Sequence, residues 1–276
     1  MNPYKPKIKA PAPQIVSKMN DILKYYKLNT ICESAACPNR AECYARDTAT
    51  FMILGDTCTR ACRFCNVKTG KGMPPDTGEP KRLAEAIKTL ALRYVVITSV
   101  DRDDLKDYGA LHFAKCVEAI HNYTPEVKIE LLTPDFKANH FAMDTVISSR
   151  VEKLAHNAET VARLSPYIRP QSSYEHSLKT LAYYAKHSKS VVKSSLMLGL
   201  GEEEHEVVET MQNLLDAGVT ELTLGQYLQP TATHHPVIQY YNQEYFDMLG
   251  EKALALGFKH VASGILVRSS YYAEKL

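Results

Sequence analysis

The chain has 276 residues, 45% of them hydrophobic and 23% charged, with a net charge of +2. That is room for one α/β barrel with a core that stands without disulfide staples, and too little positive charge to suggest nucleic acid as a partner. No apolar run reaches the roughly 18 residues of a membrane span. The start, MNPYKPKIKAPAPQ, carries charge and proline where a secretory signal carries an apolar stretch, so the expected location is the cytoplasm.

Residues 1–31 read as an extension: Pro3, Pro6, Pro11 and Pro13, then a helix over 14–27. Lys5, Lys7, Lys9, Lys18, Lys24 and Lys27 face Asp21 alone, as a solvated arm or a landing surface for an acidic partner. From residue 48 short apolar strands alternate with amphipathic helices. Strands are expected at 48–55, 93–100, 127–133, 152–157, 191–198 and 221–228. Helices are expected near 80–91, 109–122, 138–148, 159–167, 174–187, 204–216 and 242–256. In the helix over 204–216, Val207, Val208, Met211, Leu214 and Leu215 share one face. The alternation implies a parallel sheet with crossover helices. About six β-α units fit, which predicts a partial (β/α)6 TIM-like barrel. The expected division is an N-terminal extension at 1–47, the barrel at 48–258 and a C-terminal segment at 259–276 packing over the barrel mouth. Chemistry in such barrels sits at the C-terminal ends of the strands, where the motifs below fall.

Seven cysteines, an odd number in a chain without an export signal, argue against a disulfide framework. Six of the seven fall between positions 32 and 65. CTRACRFC places Cys58, Cys62 and Cys65 directly after the first barrel strand, spaced C-x3-C-x2-C. Thiolates are the usual ligands of [4Fe–4S] clusters. Three thiolates hold three irons and leave the fourth open to a substrate or cofactor. Zinc sites favour C-x2-C pairs closed by a fourth Cys or His. Upstream, CESAACPNRAEC holds Cys32, Cys37 and Cys43 at C-x4-C-x5-C, again without a neighbouring fourth ligand. Two such triplets imply two [4Fe–4S] clusters. Cys116 lies mid-helix and reads as a buried thiol.

The first triplet resembles the signature of the radical S-adenosylmethionine superfamily. With the rarer second triplet, and with LRYVVITSVDRDDL, LTPDF, HNAET, MLGLGE, GQYLQPT, GFKHVASG and VRSSY in family order, the chain looks like a member of the lipoyl synthase family along nearly its whole length. The resemblance implies that S-adenosylmethionine chelates the open iron of the first cluster. One electron then cleaves it to a 5′-deoxyadenosyl radical, once for each C–H bond attacked. The substrate implied is an octanoyl chain in amide linkage to a carrier lysine, whose carbons 6 and 8 are unactivated and yield only to a radical. The second cluster is implied as sulfur donor, with Ser270 of VRSSY on its fourth iron. An oxygen ligand leaves iron more readily than a thiolate does. Arg268 and Ser269 would orient that ligand or the substrate.

The resemblance also implies that Phe64 lies near the adenine and that Asn157 and Glu159 bind the ribose hydroxyls, although the same pair could cap a helix. Thr98 and Ser99 are candidates for the contact to the methionine amino group, with Asp101 and Asp103 read as turn formers. Gly199 and Gly201 would permit close approach of a ligand, and GQYLQPT would help line the substrate channel. Lys193 meets a carboxylate or sits at the surface. Ala155 and Ser195 stand where the family usually has asparagine and glycine. Implied partners are octanoylated lipoyl domains of 2-oxoacid dehydrogenases or the glycine-cleavage carrier protein, and a reduced donor such as ferredoxin or flavodoxin. The alternatives are a biotin-synthase-like sulfur inserter, which lacks C-x4-C-x5-C and RSSY, and an iron–sulfur electron carrier, which would shield fully ligated clusters.

Overall fold

The computed structural model describes Pro6, residues 13–35, Cys37, residues 39–45 and 48–271, and Ala273. Lys5, Lys7 and Lys9 of the basic arm lie outside the described residues. Two compact units divide the chain, one built on Ile8–Arg60 and Asn66–Lys153, the other chiefly on Ala61–Cys65 and Leu154–Leu276.

The first unit opens with α1 (Pro13–Tyr26), which buries Val16, Met19 and Leu23 along one stripe. The two-residue β1 (Asn29–Thr30) follows, then α2 (Ile31–Ser34) and α3 (Arg40–Ala45), which carry Cys32 and Cys43. Thr30 caps α2, its hydroxyl accepting the Glu33 N–H. Next come β2 (Thr50–Ile53), the small pair β3 (Thr57–Cys58) and β4 (Lys68–Thr69), α4 (Glu79–Thr89), β5 (Tyr94–Ser99), α5 (Ala110–Tyr123), β6 (Lys128–Leu132) and α6 (His140–Ile147). β1 runs antiparallel to β2, whereas β2, β5 and β6 are parallel, with Ile53 opposite Ser99 and Thr98 opposite Leu132. All of β2 is buried, as are Val95, Val96 and Ile97 of β5. Such unbroken apolar runs are what a parallel strand covered on both faces requires.

β7 (Lys153–Ala155) leads into the second unit. There follow α7 (Ser165–Ile168), α8 (Tyr174–His187), β8 (Val191–Leu198), α9 (Glu204–Asp216), β9 (Glu221–Gln226), α10 (Gln243–Leu256) and β10 (His260–Gly264). β8, β9 and β10 are parallel, with Leu198 opposite Gln226 and Gly225 opposite Gly264. α9 starts at a capping box between Glu203 and Glu206 and buries Val207, Met211 and Leu214. The main sheet follows the order β1-β2-β5-β6-β7-β8-β9-β10.

All six expected strands form, the one over 191–198 with the bounds expected and the other five trimmed at one or both ends. The helix expected over 159–167 does not. Glu159 takes a left-handed φ of 67° and forms a parallel bridge with Leu196. Its N–H donates to the Ser195 carbonyl and its own carbonyl accepts the Met197 N–H. A residue so placed cannot supply a first helical turn, and helix begins only at Ser165, with Pro166 in its opening turn. β10 went unread because HVASG mixes small and polar residues without a clear alternation. Lys193 is 1% exposed, so the surface reading of that lysine is replaced by a buried one.

Candidate active site

In the first unit the chain leaves β2 through Leu54 and Gly55, both at positive φ. The Leu54 N–H donates to the buried Glu79 carboxylate, which also meets His112 Nε2 at 2.6 Å. Beyond this turn, Cys58 Sγ accepts the backbone N–H of Arg60 at 3.4 Å and of Asp101 at 3.3 Å. The Asp101 carboxylate lies 3.7 Å from the same sulfur. Thr59 stitches the loops together: its N–H and its hydroxyl both donate to the Asp101 carbonyl, and its hydroxyl accepts the Asp103 N–H. Asp101 and Asp103 are thus more than turn formers, since both face the buried Arg60 guanidinium together with Asp135. Burial alone would lower the Arg60 pKa, but the three carboxylates raise it well above its ordinary value.

Thr98 and Ser99 close β5. The Thr98 hydroxyl donates to the Leu132 carbonyl at 2.9 Å and is committed there. Ser99 Oγ is buried and has no hydrogen-bond partner among the described residues, so of the two candidates Ser99 is the one with a hydroxyl to offer.

The half of the cysteine loop that belongs to the second unit is held on both sides. The Ala61 N–H donates to Gln171 Oε1 and the Arg63 N–H to the Ile168 carbonyl. From the segment after β9, the His235 N–H donates to the Arg63 carbonyl and His234 Nε2 to the Cys65 carbonyl. The Arg63 guanidinium stacks 3.8 Å over the Tyr167 ring. Phe64 packs against the buried Ile168, Leu200 and Tyr227. The histidines His234 and His235 were missed in the sequence; their only local signal is the turn chemistry of QPTATHHP.

Asn157 and Glu159 stand together beyond β7. Asn157 Nδ2 donates to Glu159 Oε1 at 3.1 Å, and Asn157 Oδ1 is buried without a partner among the described residues. The helix-cap alternative does not hold here, because a capping Asn157 would use that oxygen on a backbone N–H. After β8, Gly199 has φ +101°, and a Cβ there would lie 2.3 Å from Gln226 Nε2 and 2.4 Å from the Gln239 carbonyl. Its close neighbours are therefore the protein's own groups. Gly201 also has positive φ. Beneath them the Glu202 carboxylate accepts the N–H groups of Gly199 and Leu200 and the Tyr241 hydroxyl. Burial raises its pKa against the lowering effect of the backbone donors. Glu202→Gln puts an amide N–H₂ against one of two backbone donors and leaves it unsatisfied. The expected cost is about 1–3 kcal/mol, read as a lower midpoint in urea unfolding. Within GQYLQPT, Gln226 and Tyr227 are committed to backbone carbonyls, Gln226 Nε2 to those of Leu198, Tyr227 and Gln239 and the Tyr227 hydroxyl to that of His235.

The second cysteine triplet lies in the first unit. Cys32 is buried in α2, and Cys37 and Cys43 are half-buried. Burial pushes the Cys32 thiol up to about 12, and Cys37 and Cys43 add to the rise, so the Cys32 sulfur is near enough to feel both. Ser270 is in the second unit, half-buried, in a turn where the Tyr271 N–H donates to the Arg268 carbonyl. The tail lies directly on β9: a Cβ on Gly225 would sit 2.0 Å from the Val267 carbonyl oxygen. Cys116 is fully buried, as expected. None of the seven cysteines is in a disulfide. Among the described residues no three His, Cys, Asp or Glu side chains converge as they would around a single metal ion. A cubane asks for something different, since each thiolate binds a different iron.

Residues 52–214 match the model of the radical SAM superfamily. Over 98% of its length the chain is 49% identical to the lipoyl synthase of Thiobacillus denitrificans, covering 88% of that protein. It is 48% identical over 98% of its length to that of Caldicellulosiruptor saccharolyticus, covering 95%. A mitochondrial lipoyl synthase of Nematostella vectensis is 47% identical over 98% of this chain and 92% of its own. The chain belongs to the lipoyl synthase family. Lipoyl synthases are enzymes of radical sulfur insertion, so this chain is a sulfurtransferase with S-adenosylmethionine and [4Fe–4S] clusters as cofactors. Among solved structures, the hydrogenase maturase HydG superposes with a TM-score of 0.59 at 10% identity, covering 93% of this chain and 63% of its own. Methylornithine synthase superposes at 0.56 and 12% identity, covering 88% and 81%. At such identities the likeness speaks for the fold alone, and it bears out the expected partial TIM-like barrel for this lipoyl synthase family member. Among the described residues no helix is long and apolar enough to cross a membrane.

Proposed function

We propose that Cys58, Cys62 and Cys65 hold one [4Fe–4S] cluster, that Cys32, Cys37, Cys43 and Ser270 hold a second, and that Asn157 and Glu159 bind the ribose of S-adenosylmethionine. Phe64, Thr98, Ser99, Gly199 and Gly201 complete the surroundings of that cofactor. When bound, these groups supply what no side chain can: a radical that takes hydrogen from unactivated carbon, and sulfur to replace it. The side chains bind and orient. The observation that carries this reading is Asn157 Oδ1, a buried acceptor without a partner among the described residues, beside the Glu159 carboxylate. Two adjacent acceptors suit the two hydroxyls of a ribose. The unpaired Ser99 hydroxyl supports a polar ligand at the end of β5. At Cys58 the two N–H groups aimed at the sulfur suit a thiolate in a cluster.

The substrate in this reading is an octanoyl group on the lipoyl domain of a 2-oxoacid dehydrogenase or on the glycine-cleavage carrier protein. A reduced ferredoxin or flavodoxin supplies the electron. The compartment is the cytoplasm, whose reducing conditions suit seven cysteines of which none is in a disulfide.

Glu159→Ala tests the ribose assignment. Losing a hydroxyl-to-carboxylate hydrogen bond costs about 1.5–3 kcal/mol, or roughly 10–150-fold in affinity. Anaerobic calorimetry of S-adenosylmethionine binding reads that loss, while iron analysis shows the parent content. Unchanged affinity with lowered thermal stability would return Glu159 to a purely structural part in its bridge to Leu196.

A further inference from the structure

We infer that Arg60 is the positioning residue of the first cluster site: its side chain, gripped by Asp103, Asp135 and Asp101, places the Cys58 sulfur and keeps two backbone N–H groups aimed at it. The inference rests on the proposed reading that Cys58 ligates a cluster.

Arg60 lies between Cys58 and Cys62 in sequence, yet its side chain turns inward and is only 2% exposed. Its Nε and Nη2 donate to the two oxygens of Asp103 at 2.9 Å each. Its Nη1 and Nη2 donate to those of Asp135 at 2.9 and 2.6 Å. Nη1 also lies 3.3 Å from Asp101 Oδ1. One planar fork thus grips two carboxylates in bidentate fashion, which a lysine ammonium cannot do. Asp101 and Asp103 follow β5, and Asp135 follows β6, so the grip ties the cysteine loop to two other strand ends at once.

Arg60 and Asp101 themselves each donate a backbone N–H to Cys58 Sγ. Their side chains form the ion pair, and their backbones meet at the sulfur. A shift of the guanidinium therefore moves both donors together. Stability is a poor reason for the arrangement, because replacing a buried ion network by apolar groups is often neutral or better. Three carboxylates around one guanidinium, with Lys137 3.6 Å from Asp103 at the rim, is a costly way to fill space. A geometric role accounts for it. Hydrogen bonds to cluster sulfurs help set the reduction potential. An N–H dipole stabilises the added electron, so loss of the two donors makes the first cluster harder to reduce.

The test uses the full chain with Cys32, Cys37 and Cys43 all changed to alanine, so that one cluster gives the signal, reconstituted anaerobically. Arg60→Lys keeps the charge and loses the fork. With iron equal to the parent, its midpoint potential from an EPR-monitored titration is expected to move to more negative values. Cleavage of S-adenosylmethionine should then fall with a weak reductant and recover with a stronger one. Lys137→Ala, which removes a nearby charge but leaves the fork, should leave the midpoint in place. An unshifted midpoint in cluster-loaded R60K, or an equal shift in K137A, overturns the inference. Should R60K lose its cluster or fold, the charge-balanced pair Arg60→Gln with Asp135→Asn takes its place, and an unshifted midpoint there overturns it equally. A parent that holds no cluster overturns instead the assignment of Cys58 as a ligand.

Discussion

Changing Cys58, Cys62 and Cys65 to alanine is expected to abolish cleavage of S-adenosylmethionine, whereas changing Cys32, Cys37 and Cys43 is expected to leave cleavage and abolish sulfur insertion. Two cubanes bring about eight irons per chain, and each triple variant should keep about half. The asymmetry follows from the division of labour proposed for the triplets. The first sits on the loop after β2, where Cys58 receives two N–H donors. In the second, Cys32 is buried on α2, Cys43 lies on α3 and Cys37 falls between them. Iron analysis, release of 5′-deoxyadenosine and lipoyl formation on an octanoylated lipoyl-domain peptide are the three readouts. Loss of both activities with full iron retained in the Cys32, Cys37 and Cys43 variant would contradict separate roles.

Displacing the C-terminal tail should stop sulfur insertion without touching any cysteine. Ser270→Ala is expected to spare the first cluster and most radical generation while lipoyl formation falls sharply. Ser270→Cys is the sharper case: a thiolate binds iron more firmly, so the cluster assembles but its fourth iron is released less readily, and product is suppressed at full iron content. Ser269→Ala should do less. Gly225→Ala reaches the same end from a distance. The new Cβ would fall 2.0 Å from the Val267 carbonyl oxygen, a backbone atom that cannot swing aside, so the tail beyond it has to move. The expected loss of lipoyl formation is about 10–100-fold, the range for an outer partner of a metal ligand. Full turnover by Ser270→Ala rules the ligand out. Full turnover by Gly225→Ala shows that the tail's seat on β9 does not matter to the chemistry.

Some of this was legible because the signals are local. Thiolate spacing, strand runs such as YVVITS and ELTLGQ, and the face shared by Val207, Met211 and Leu214 each depend on residues a few positions apart. The candidate ligands could be named for the same reason, since chemistry is written in residue type. Glu159 marks the limit. NAET reads as a helix start by local preference, and only the neighbouring β8 strand, by offering the Ser195 carbonyl and the Met197 N–H, turns it into a bridge.

By itself, then, the sequence determined the alternation of strands and helices, the two triplets and the family. What the tertiary structure alone decided is which groups stand beside them. Arg60 meets Asp135 across 75 positions, and His234 reaches the Cys65 carbonyl across 169. Neither arginine nor histidine carries any local mark of such a partner. Asp101 and Asp103 looked like turn formers because an aspartate favours turns whatever its side chain does next. A buried ion network gains its energy only when strand ends far apart in sequence are brought together, and that closeness is a property of the folded sheet.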